Sequence, residues 1–277
     1  MIDQKAPGLP FPKLEKNQQT GSKPRWHLFT SGTKDAVARR LTALIESWGE
    51  VLPTDAWMPD GFTQCEEAEL HKAERIIPDL KLLNSLKNWW LAVPGARTKT
   101  PNWDIASTCS IGGKRGLLLI EAKAHDAELR NEERGKPPGA QGEKGFPIDS
   151  RRNHMRIGAC IQDASLALSE QTKLAWALSR DWNYQMANRF TWAWKLTELG
   201  IPVILIYLGF IGCDEMRKET SQRPIVDRDD WQQMVEDHSQ PLFPREIWNQ
   251  EWHVYGQSLI PLIRVYPQPL SVSEAAR

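Results

Sequence analysis

The stretch Asn102–His125, NWDIASTCSIGGKRGLLLIEAKAH, decides the fold. Two apolar, β-prone runs meet at Gly112-Gly113, and paired glycines between such runs predict a tight hairpin whose central residues take positive φ. With that pair as the turn, Ile111 faces Lys114 and Asp104 faces Glu121. Alternation then places Asp104, Ala106 and Thr108 on one face of the first strand, with Leu117, Leu119, Glu121 and Lys123 on the matching face of the second. Carboxylates directly opposed across a strand pair repel. Lys123, one same-face step beyond Glu121, can offset the repulsion, and two converging carboxylates also suit a hard divalent cation with oxygen ligands. A turn with an odd number of residues would separate the acids. On the residues alone, a structural ion pair between Lys123 and the two acids stands as the other reading.

An acid on one strand and Glu-x-Lys at the end of the apolar run GLLLI resembles the active site of the PD-(D/E)xK nuclease superfamily, the restriction-endonuclease-like fold. The resemblance implies that Asp104 and Glu121 ligate Mg²⁺, with Mn²⁺ able to substitute. The Ala122 carbonyl would join them, and Lys123 would orient or deprotonate the attacking water. The proline of the family name is not adjacent to the acid, since Pro101 lies three residues before Asp104. The resemblance covers about a hundred residues of core and neither end of the chain.

The chain has 277 residues, enough for one large domain or two small ones with a substantial core. Lys+Arg and Asp+Glu both total 35, so neutrality gives a nucleic-acid partner no support, although only a groove needs to be basic. No apolar run approaches a membrane span. The N-terminus lacks the continuous apolar core of a signal peptide, so a cytoplasmic location is expected. Cys65, Cys109, Cys160 and Cys213 form no Cys-x-x-Cys pair and read as free thiols. The 13 tryptophans suggest a heavily aromatic core, with a stacking platform for unpaired bases as the functional alternative.

Residues 1–25, rich in Pro, Lys, Gly and Gln, read as an extended or disordered arm ahead of a single domain over 26–277. Its core is expected over about 63–210, with a C-terminal extension over 211–277. Ser31 or Thr33 caps a helix running from about Lys34 to Trp48. Thr63 is expected to open a helix that ends before Pro78, and Asp79 starts another. In the superfamily a helix ahead of the sheet often adds a carboxylate to the metal site. On the first helix Glu69 is the residue carried into that role, while Glu67 and Glu74 point elsewhere. The segment Trp90 to Pro101 is expected to hold the first strand of the meander.

After His125, the stretch DAELRNEERGKPPGAQGEKGFPIDS reads as a surface excursion, either a lid or a disordered insertion. Asp149 or Ser150 opens the next helix, whose first turns carry Arg151, Arg152, His154 and Arg156. Arg152 is the candidate phosphate contact there, against a plain solvated turn. A helix capped by Asp181 or Asn183 and stopped by Gly200 leads into the buried parallel strand VILIYLGF, a crossover unit. On that helix Gln185, Asn188, Arg189 and Trp192 fall on one face. The resemblance gives Gln185 a place near the scissile phosphate and makes Arg189 a phosphate contact; capping of neighbouring backbone is the alternative. Beyond that strand, Trp231 opens a short helix. Near the end, LIPLIRVYP is expected to be an edge strand because of Pro261.

The expectation is therefore an α/β protein with a mixed sheet of the restriction-endonuclease type (α-β-β-β-α-β), flanked by extra helices. Its implied activity is Mg²⁺-dependent endo- or exonucleolytic hydrolysis of phosphodiester bonds, with DNA as substrate. A catalytically inactive nuclease-fold protein that binds nucleic acid or a protein partner is the rival, and a structural α/β protein is a second. Self-association into a homodimer is left open.

Overall fold

Gly112 and Gly113 take φ of 55° and 77°, the pair of positive values that a two-residue type I′ hairpin requires. A Cβ on either would meet nothing within 4 Å, so backbone conformation and not crowding selects glycine there. The computed structural model describes residues 20–95, 99–135, 148–212 and 222–267. In chain order its elements begin with α1 (Lys23–Phe29), α2 (Lys34–Ile45), β1 (Gly49–Glu50), β2 (Trp57–Met58), β3 (Ala68–Glu69) and α3 (Leu80–Trp90). The hairpin region follows, with β4 (Asn102–Trp103), β5 (Ile105–Ile111), β6 (Lys114–Lys123) and α4 (Asp126–Arg130). Then come α5 (Ile148–Thr172), α6 (Tyr184–Glu198), β7 (Val203–Phe210), α7 (Arg228–Ser239), β8 (Trp252–Val254) and β9 (Gln257–Tyr266).

The main sheet is mixed, in the order β1-β5-β6-β7-β9-β8, with β2 also paired to β5. β5 and β6 run antiparallel in the register set by the glycine turn, from Ile105 opposite Ile120 to Ile111 opposite Lys114. β6 and β7 are parallel, which requires a crossover; α4, α5 and α6 supply it. Gly200, at φ 85°, ends α6, and β7 then enters fully buried along its length. Helices cover both faces. Leu117, Leu119, Val203, Leu205 and Tyr207 pack in the core shared with α3, α5, α6 and α7. Leu118, Ile120, Ile204, Ile206 and Leu208 pack in the core shared with α1 and α2.

Capping explains where two helices start. Thr33 accepts from the Ala36 N–H at the head of α2, and Asp79 accepts from the Lys81 and Leu82 N–H groups at the head of α3. Most of the tryptophans behave as core, Trp182 being exposed: Trp26, Trp90, Trp103, Trp192 and Trp231 are fully buried, and Trp89 meets Trp192 edge-on at 5.6 Å.

Several expectations are corrected. The helix expected from Thr63 to Ile77 does not form. Its middle is instead β3, paired with β4, followed by a 3-10 turn over Leu70–Lys72. The helical period of its apolar residues is real, but pairing of Ala68 with Trp103 overrides it. The strands ahead of the hairpin that pair with β5 are β1 and β2, not a segment between Trp90 and Pro101, of which 96–98 lie outside the described residues. β9 is not the edge strand. It lies between β7 and β8, and Pro261 is tolerated because pairing to β8 covers only Gln257, Ser258 and Leu259. The arm expected over 1–25 lies mostly outside the described residues, yet its end is ordered: α1 begins at Lys23 and buries Trp26. The excursion after His125 opens as α4 and a 3-10 turn over Asn131–Glu133; 136–147 lie outside the described residues.

α7 is docked on β7 by a close approach. A Cβ at Gly209 would lie 2.8 Å from the Trp231 ring, and the Trp231 indole N–H donates to the Tyr207 carbonyl at 3.2 Å. Gly209→Ala is expected to cost about 1–3 kcal/mol through overpacking against this buried ring, read from the urea midpoint. A change below about 0.5 kcal/mol would show that the contact yields freely.

Candidate functional site

Glu121 and Lys123 end β6 on the face of the larger core, where Leu117 and Leu119 precede them. Only 2% of Glu121 and 5% of Lys123 is exposed, so the polar groups must be met by protein. Glu121 Oε1 accepts from Lys123 Nζ and from Gln185 Nε2, and Oε2 accepts from Arg189 Nε at 2.8 Å. Arg189 Nη2 lies 2.7 Å from the same oxygen. Gln185 and Arg189 stand one turn apart on α6, which is why both reach Glu121. The Arg189 guanidinium also donates to the Asn102 carbonyl at 2.6 Å and to Asn188 Oδ1 at 2.7 Å, and lies 4.7 Å from the Trp103 ring centre.

Asp104 occupies the bend between β4 and β5 and is half-buried. Its Oδ2 accepts from the Ala122 N–H at 2.7 Å, tying the acid to the strand residue next to Glu121. Lys123 has a second buried partner, Glu132, whose Oε1 lies 2.7 Å from Nζ. Glu132 comes from the 3-10 turn after α4. Its Oε2 accepts from the Tyr207 hydroxyl at 3.4 Å and lies 3.6 Å from His238 Nε2 on α7. Tyr207 is the residue paired with Glu121 across the parallel ladder.

Burial, and then the neighbouring Glu121 charge, push the Asp104 carboxyl well above the usual aspartate range. Burial alone would lower Lys123, but Glu121 and Glu132 hold it above its ordinary value, so it stays an ammonium. Burial opposes the charge of Glu132 as well; Lys123 and His238 nevertheless keep its pKa below the usual glutamate value. Arg189 follows the same pattern, with the Glu121 charge outweighing burial.

The expected residues are therefore divided. Asp104, Glu121, Lys123, Gln185 and Arg189 are brought together. Glu69 is not on a helix; it sits on β3 opposite Asn102 and pairs with Lys72. The acid that reaches toward the cluster from this segment is Glu67, which accepts from Asn102 Nδ2 and from Lys23 Nζ, each at 2.9 Å. Burial opposes its charge, but the Lys23 and Asn102 bonds hold its pKa down. A groove of about 660 Å³ runs beside it, lined by Lys23, Glu66, Glu67, Lys72, Lys99 and Asn102. Arg152 is exposed in the first turns of α5, where its ion-pair partner is Asp149 at 4.0 Å. Arg189, expected to touch phosphate, has its guanidinium enclosed by the protein.

Among the described residues, no three His, Cys, Asp or Glu side chains converge as metal ligands do; of the expected set Asp104, Glu121 and Glu69, the first two lie together and Glu69 stands apart on β3. By donor chemistry this pair fits a hard divalent cation. Both are oxygen ligands, and the crowding that opposes ionisation of Asp104 is what added positive charge would relieve. Both carboxylate oxygens of Glu121 are engaged by Lys123, Gln185 and Arg189, so a cation there would replace one donor. In comparisons with protein-family models, curated proteins and solved structures, none matches this chain. No helix among the described residues is long and apolar enough to cross a membrane.

Proposed function

We propose that the protein is a metal-dependent nuclease that hydrolyses phosphodiester bonds, with DNA as its substrate. The observation that carries this reading is the convergence of Asp104, Glu121 and Lys123 at the end of β6, with Gln185 from α6 on the same carboxylate. The mixed α/β sheet is compatible with it: β5 and β6 are antiparallel and β7, reached through helices, runs parallel to β6. The choice of DNA rests on the resemblance alone.

Mg²⁺ or Mn²⁺ held by Asp104 and Glu121 would supply Lewis-acid charge to a phosphate oxygen and lower the pKa of a bound water. The Lys123 ammonium adds positive charge against the negative charge that grows on phosphorus-bound oxygens. Gln185 has a second amide hydrogen to offer a phosphate oxygen while the first is on Glu121. Arg189 holds the orientation of Glu121 through Oε2 and donates to the Asn102 carbonyl, two residues before Asp104.

The expected result is Mg²⁺- or Mn²⁺-dependent DNA cleavage that Asp104→Ala and Lys123→Ala each reduce by about a hundredfold or more. Equal cleavage by wild type and both variants would place the activity elsewhere. A binding protein of nuclease-like fold without turnover is favoured by one observation, the complete occupation of Glu121 by its own donors. Calorimetric titration separates the two. A nuclease should bind Mg²⁺ in a manner lost in Asp104→Ala, whereas a binding-only protein should retain nucleic-acid affinity without such a site.

A further inference from the structure

Glu132 is buried to 3% exposure in a stretch whose composition suits the surface, and a carboxylate so placed is costly unless it is paired. Its pairing is directional. One oxygen takes the Lys123 ammonium at 2.7 Å; the other accepts from the Tyr207 hydroxyl at 3.4 Å and lies 3.6 Å from His238 Nε2. Each support is itself held. Tyr207 is central in the sheet, and the Asn183 side chain donates to the His238 carbonyl. α7, which carries His238, is seated by Trp231 on Gly209. Lys123 therefore lies between Glu121 on its own strand and an acid delivered by the crossover.

We propose that Glu132, braced by Tyr207 and His238, is a positioning residue that keeps the Lys123 ammonium in the hydrolytic centre when Glu121 turns to another partner. The inference rests on the nuclease reading only for its effect on rate. Without Glu132, an ammonium displaced from Glu121 loses the second of its two ion-pair partners among the described residues and can swing away. With it, the ammonium stays within reach of a phosphate placed beside the ion that Asp104 and Glu121 would hold.

The test uses Glu132→Gln in the full chain, with two readouts. With saturating Mg²⁺ present to engage Glu121, the slowly exchanging ammonium resonance of Lys123, assigned by its loss in Lys123→Arg, should be present in the wild type and absent from folded Glu132→Gln. Under saturating Mg²⁺ the kcat for DNA should fall about a hundredfold with KM nearly unchanged, as expected for a misplaced catalytic group. Glu132→Asp should recover part of that loss. If Glu132→Gln does not fold, Tyr207→Phe keeps the ring and should shift both readouts in the same direction by less. An intact ammonium resonance, or an unchanged kcat, in folded Glu132→Gln or Tyr207→Phe would overturn the proposal. Absence of cleavage by the wild type would remove the hydrolytic reading, and the resonance would still decide whether Glu132 holds Lys123.

Discussion

Arg189→Met is expected to destabilise the protein by about 3–5 kcal/mol, the usual consequence of removing one partner from a buried ion pair. The change strips Glu121 Oε2 of both its donors and leaves the Asn102 carbonyl without the guanidinium N–H, while methionine fills much of the space. Lys123 cannot make up the difference, since Glu132 already shares it. Folded proteins are stable by about 5–15 kcal/mol, so this single change would take a large part of the total. Equilibrium urea unfolding of the wild type, Arg189→Met, Glu121→Gln and the double variant measures it. The double variant should be more stable than the sum of the single losses implies, because an amide in place of the Glu121 carboxylate has no charge to be stranded. A loss below about 1 kcal/mol for Arg189→Met would mean that the guanidinium is replaced by water, and that Glu121 is more open than its burial implies.

Asp104→Asn should separate function from stability in opposite directions. Asparagine keeps an oxygen that accepts from the Ala122 N–H, but it has no charge to set against Glu121. The folded-state pKa of Asp104 is raised above its ordinary value of 3.8. The native state therefore binds more protons than the unfolded chain from the ordinary aspartate range up to the raised pKa, and this group's contribution falls as pH rises through that window. The variant lacks the penalty, so the stability difference, variant minus wild type, should grow with pH and level off above the raised pKa. In chelator the variant is therefore expected to be the more stable of the two above the ordinary aspartate range. Taking the difference removes the opposite trend from Glu132 and Glu67, whose lowered pKa values cost stability as pH falls through them. DNA cleavage should be lost in the same variant. A variant less stable than wild type across the whole range would mean that Asp104 is ionised and paired in the native protein.

The hairpin was legible because its information is local. Two glycines fix the turn, the turn fixes the register, and the register brings Asp104 to Glu121 and sets Lys123 on the same face. The α6–β7 unit was legible for a similar reason, since a polar face one turn long and a fully apolar strand are both written in short windows. The helix expected to carry Glu69 was misread because the residues around it have a helical period, while the chain uses a long-range pairing of Ala68 with Trp103. Once the helix is gone the side-chain directions change, and Glu67 faces Asn102 instead. Glu132 and His238 could not have been found. Each lies in a run of charged or polar residues with no period to mark one as inward, and they meet only because α4 and α7 pack on the same side of β7. Trp231, near the start of α7, was the nearest signal, for its seat on Gly209 brings that helix to the site.

On the nuclease reading, Asp104 and Glu121 hold one divalent ion beside the Lys123 ammonium. Crystals soaked in Mn²⁺ and measured at the manganese edge test it most directly. One anomalous peak is expected between the two carboxylates, with Lys123 still paired to Glu132. No peak at that position, with Glu121 still fully engaged by Lys123, Gln185 and Arg189, would contradict it.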